Sequence, residues 1–123
     1  MTNPMRGEVE FKVGDIAFTT RPSFAFVVDL ENTLKMPVLH LSAKVRTLSL
    51  SYTELVGFVH VAARHAAKPP ANVDREDEFR EAVFQAGPTR WYAPMIALVT
   101  EVFRTGEPDQ PEKKDDAETT AAA

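Results

Sequence analysis

Residues Val9 to Phe18 constrain this chain most. Val9, Phe11 and Val13 alternate with Glu8, Glu10 and Lys12, the period of a strand buried on one face. Gly14-Asp15 is a two-residue connection suited to a primed turn, and Ile16 and Phe18 resume the alternation. The segment therefore predicts a β-hairpin with one apolar face. Such a hairpin is marginally stable alone, so the rest of the chain must cover that face.

The cover predicted downstream is helical. Arg21-Pro22-Ser23 breaks the strand, and Ser23 is placed to cap a helix from Phe24 to Lys35. Its broad apolar side is read as Phe24, Val27, Val28, Leu30 and Leu34, and Met36-Pro37 ends it. From Val38 to Leu48 two patterns compete. Val38, Leu41, Val45 and Leu48 fit a helical stripe; Leu39, Leu41, Ala43 and Val45 fit a strand, and the lack of a nearby strand partner favours a short helix.

Ser51-Tyr52-Thr53-Glu54 has the spacing of a capping box. Leu55, Phe58, Val59, Ala62 and Ala66 then recur at helical spacing to about Lys68, before Pro69-Pro70. A further helix is expected from Asn72 or Asp74, with Asp74, Glu76, Asp77 and Glu78 near its positive end, Phe79, Ala82, Val83 and Ala86 buried, and Gly87-Pro88 as its stop. The last helix is read from Thr89 to Arg104 with a stripe of Trp91, Met95, Leu98, Val99 and Val102, widened by Ile96 and Phe103, and with Pro94 near its start. The fold class is α+β: an N-terminal β-hairpin followed by a four- to five-helix bundle. Residues 1–5 are expected to be flexible, residues 6–105 to form the single domain, and residues 106–123 to be a disordered acidic tail.

Charge and composition narrow the function. Beyond Gly106, six carboxylates face two lysines, which accounts for the formal net charge of -4 and leaves residues 1–105 with twelve groups of each sign. A balanced body without a basic stripe argues against a nucleic-acid partner. The 123 residues contain no cysteine, which removes disulfides, thiolate metal sites and thiol nucleophiles. No apolar run is long enough to span a bilayer, and the first residues lack the pattern of a signal peptide, so no membrane association and a cytoplasmic location are expected.

Candidate chemistry is sparse. His60 and His65 are five apart and should diverge around their helix, whereas zinc-binding pairs stand four apart; His40 is isolated. Asp74, Glu76, Asp77, Glu78 and Glu81 are explained by their place at a helix start. Trp91-Tyr92 reads as a packing pair, and Ser23 and Ser51 as caps. No catalytic, cofactor or metal site is assigned, and no enzymatic activity is expected.

The remaining feature is apolar surface in excess of one helix face each. Such a helix is either central or presents a second face to a partner. On amphipathicity alone, Phe26, Val28, Leu34, Phe58, Val61 and Phe103 are the candidate partner-binding residues, and a homo-oligomer is one way to use them.

Residues 6–105 resemble the small tail proteins of phage-like gene transfer agents and prophages, the tail-assembly-chaperone family. The likeness rests on Arg6-Gly7-Glu8-Val9, the Gly14-Asp15 turn, a first helix carrying Asp29-Leu30-Glu31, the Ser51–Ala67 helix and the Ala/Leu/Val-rich last helix. Members usually have a glycine shortly after the Leu-Glu helix; this chain has Lys35-Met36-Pro37. The resemblance implies a tail-morphogenesis role, binding the helical tape-measure protein and keeping it soluble until tube subunits assemble around it. The alternatives are a structural tail-tube or connector subunit retained in the particle, and a small DNA-binding regulator.

Overall fold

The computed structural model describes residues 7–104. The expectations of a flexible N-terminus at residues 1–5 and of a disordered tail at residues 106–123 lie outside the described residues. Within them, two antiparallel strands precede five α-helices: β1 (Val9–Val13), β2 (Ile16–Thr20), α1 (Phe24–Leu34), α2 (Val38–Arg46), α3 (Tyr52–Arg64), α4 (Glu76–Gln85) and α5 (Tyr92–Arg104), with a 3-10 turn at Pro88–Trp91. This is the α+β arrangement that the hairpin and helical periodicities predict.

The strands pair with Val13 opposite Ile16, Phe11 opposite Phe18 and Val9 opposite Thr20. Gly14 takes the positive φ of 61° that the first position of the tight turn demands of a residue without Cβ. Val9, Phe11, Val13, Phe18 and Thr20 are buried while Glu10 and Lys12 are exposed. Phe11 stacks on Phe18 with ring centres 4.9 Å apart and meets Trp91 at 6.5 Å. The cover for the apolar face comes from α3, α5 and the 3-10 turn.

α3 is the centre of the molecule. Its capping box is formed: the Glu54 amide donates to Ser51 Oγ at 3.1 Å and the Ser51 amide to Glu54 Oε1 at 3.0 Å. Every residue from Leu55 to Ala63 is buried, because α1, α4, β2 and the 3-10 turn surround it. The helix ends at Arg64, short of Lys68. There the chain leaves to meet β2: Thr20 bridges Ala66, and the Ala67 amide donates to the Thr19 carbonyl at 3.0 Å. Thr20 Oγ1 donates to the carbonyl of Ala62 at 2.7 Å, filling an acceptor that the helix end leaves open.

The segment Val38–Leu48 is helical over Val38–Arg46. Its N-cap is Pro37, which has no side-chain acceptor; Glu31 supplies one, Oε2 receiving the Val38 amide at 2.7 Å. In Leu30-Glu31, Leu30 is thus a core residue of α1 while Glu31 caps the next helix. Between the two helices Lys35 adopts φ 59°, ψ 39°, the left-handed conformation in which helices usually place glycine.

Two further boundaries differ from expectation. α4 starts at Glu76, not at Asn72 or Asp74. Val73 is buried, and its carbonyl accepts from His60, so residues 71–74 stay in turns. The last helix is divided: Pro88–Trp91 is 3-10 and the regular helix begins at Tyr92, so Pro94 falls in its first turn, where no amide donor is needed. The described helices include none long and apolar enough to cross a membrane.

Candidate functional site

Four of the six candidate partner-binding residues are interior. Phe26, Leu34, Phe58 and Val61 belong to the core, which corrects their assignment to an outer face. Phe26 and Phe58 meet edge-on with ring centres 6.4 Å apart, joining α1 to α3. The reason is the central position of α3: its second apolar face is covered within the same domain. Val28 and Phe103 are 39% and 40% exposed and remain available. On α1 the buried stripe is Phe26, Leu30 and Leu34 at intervals of four, whereas Phe24, read as part of the same broad apolar side as Leu30 and Leu34, is 83% exposed. Phe24 and Val28, one turn apart, share an outward face.

The polar side chains that converge do so where α1, α3 and α4 meet. Asp29 accepts from Arg64 through Nε at 3.2 Å and Nη2 at 2.9 Å, from His65 Nε2 at 2.9 Å and from Thr33 Oγ1 at 3.1 Å. Those four bonds use the acceptor capacity of a carboxylate. Burial pushes the Asp29 carboxyl up, but the hydrogen bonds from Arg64 and His65 and the Arg64 charge outweigh it and hold its pKa below the ordinary value.

His60 is buried and its tautomer is dictated by its neighbours. The Val73 carbonyl, 2.8 Å from Nε2, only accepts, so Nε2 carries the proton. Nδ1 is then the acceptor for Arg80 Nε at 3.0 Å, with Arg64 Nη1 at 3.5 Å. Burial lowers the His60 pKa, and the two guanidinium charges lower it further against the opposing pull of the Val73 carbonyl and Glu76. The neutral ring also packs on Phe79, with centres 5.3 Å apart. The two histidines do face apart, His60 toward α4 and His65 toward α1. With both His60 ring nitrogens, His65 Nε2 and the Asp29 carboxylate so engaged, this cluster acts as a brace between three helices. Among the described residues no group of three or more His, Asp or Glu is arranged to hold a metal ion.

A second feature lies on the outer side of the same helix pair. Tyr52, Thr53 and Val56 of α3 and Asp77, Arg80, Glu81 and Phe84 of α4 line an open groove of about 410 Å³. Tyr52 and Phe84 of its lining stand edge-to-face, ring centres 5.9 Å apart and 65° between planes, and both are exposed. Arg80 joins this groove to the brace, since it reaches His60 behind and Glu76 at 3.1 Å in front. Sequence reading missed the pair. Its signal was present: Phe84 falls off the stripe of Phe79 and Val83, and Tyr52 sits on the first turn of a helix whose apolar stripe begins at Leu55. Trp91, by contrast, is wholly buried, its indole N–H donating to the Val83 carbonyl at 3.0 Å, as a packing residue should.

Comparison with protein-family models, curated proteins and solved structures finds no match to this chain.

Proposed function

We propose that this protein works by holding another polypeptide, as a tail-assembly chaperone of a phage-like particle or gene transfer agent that binds the helical tape-measure protein. The observation that carries this reading is the exposed Tyr52–Phe84 pair in the α3–α4 groove. Aromatic side chains in a shallow groove, rimmed by Asp77, Arg80 and Glu81, have the make-up of a binding surface for an amphipathic helix: apolar anchors inside a charged margin. Phe24 and Val28 on the outward side of α1 add further apolar area. The resemblance of residues 6–105 to the tail-assembly-chaperone family supplies the identity of the partner.

The test is co-expression with a tape-measure protein from the same genome. The expected result is a larger soluble fraction of the tape measure, reduced when Tyr52→Ser and Phe84→Ser are combined in a chain whose circular dichroism is unchanged. A tape measure no more soluble with the protein than alone overturns the proposal. Mass spectrometry of finished particles separates the alternative: a chaperone is absent from them, whereas a tube or connector subunit is present in many copies.

A further inference from the structure

The two edges of the hairpin are treated differently. A two-residue turn makes Val13 and Ile16 a hydrogen-bonded pair, and the antiparallel alternation puts Phe11–Phe18 and Val9–Thr20 in the same class. The backbone N–H and C=O groups of Glu10 and Lys12 therefore point away from β2, while those of Ala17 and Thr19 point away from β1. On the β2 side this outward edge is used, because Ala67 donates to the Thr19 carbonyl. On the β1 side, no described residue bonds the outward groups of Glu10 or Lys12, and both side chains are exposed. An open strand edge is a template for another strand.

The charges on that edge select the strand. An antiparallel copy of β1 centred on Phe11 sets Glu10 opposite Lys12 of the second copy and Lys12 opposite its Glu10, each an outward-facing residue meeting an outward-facing residue. Centring the pairing on Glu10 sets two carboxylates against each other, and centring it on Lys12 sets two ammonium groups together. Residues directly opposite point to the same side of a sheet, so the Phe11-centred register keeps Val9, Phe11 and Val13 of both copies on the helix-covered side and the paired charges in solvent.

We propose that the outer edge of β1 pairs with β1 of a second copy of this chain, antiparallel and centred on Phe11, joining two hairpins into one continuous sheet. This inference does not rest on the chaperone reading.

Sedimentation equilibrium of the full chain tests it. The mass is expected to rise from the monomer's 13.7 kDa toward twice that value as concentration increases. E10K and K12E each replace both unlike pairs by like pairs, and each is expected to weaken self-association at least about tenfold. An equimolar mixture of the two variants recreates unlike pairs throughout and is expected to associate as the natural chain does. Both positions are exposed, so circular dichroism should be unchanged. Hydrogen exchange should show the Glu10 and Lys12 amides slowing with concentration. A monomeric mass over the whole soluble range overturns the proposal, as does a dimer whose affinity neither variant alters. Amide protection that appears only on adding the tape-measure protein assigns the edge to a foreign strand and likewise overturns it.

Discussion

Thr20, the last residue of β2, is tied to Ala62 in α3: its hydroxyl donates 2.7 Å to the Ala62 carbonyl, and Thr20 is completely buried. This one bond connects the hairpin to the central helix and closes the helix end at the point where the chain departs to bridge Ala66. Thr20→Val keeps the shape and removes the donor, leaving a buried carbonyl unsatisfied. The expected loss is about 1–3 kcal/mol of unfolding free energy, measured by urea denaturation. Thr20→Ser should retain most of the stability. Equal midpoints for Thr20→Val and the natural chain would show that water replaces the hydroxyl.

His60 makes stability depend on pH. Its folded pKa lies below the ordinary 6.5, because burial and then the Arg64 and Arg80 charges disfavour the imidazolium, so the unfolded chain takes up the proton first. The contribution is fully present above pH 6.5 and is lost as pH falls from there through the folded value. Protonating Nδ1 also removes the acceptor that Arg80 uses. The urea midpoint is expected to drop between pH 7.5 and pH 5.5, and His60→Gln should flatten that slope. Identical slopes for the two chains would move the effect elsewhere.

Lys35 holds a left-handed backbone at φ 59° between α1 and α2. A side chain with Cβ is strained there, by roughly 1 kcal/mol relative to glycine. Lys35→Gly is expected to raise stability by about 0.5–1 kcal/mol, seen as a higher melting temperature. The gain is limited because glycine also adds freedom to the unfolded chain. A lower melting temperature would mean that the Lys35 side chain contributes more than the strain costs.

Local patterns in the sequence were enough to place most elements. The period-two run around Phe11, the glycine at position 14, the Ser51–Glu54 spacing and the prolines at 37 and 88 act within a few residues of themselves, and the strands, turn, capping box and helix stops appear where those residues put them. The fate of apolar faces was not legible in the same way. Periodicity tells which side chains share a side of a helix, but whether that side meets water depends on neighbours distant along the chain. Phe58 and Val61 vanish into the core because four elements enclose α3, while Phe24, two residues from buried Phe26, stays outside. The tautomer of His60, the shortened end of α3 and the meeting of Tyr52 with Phe84 have the same origin. Each is set by partners 13 to 48 positions away, whose approach is a property of the packed molecule and of no single stretch of it.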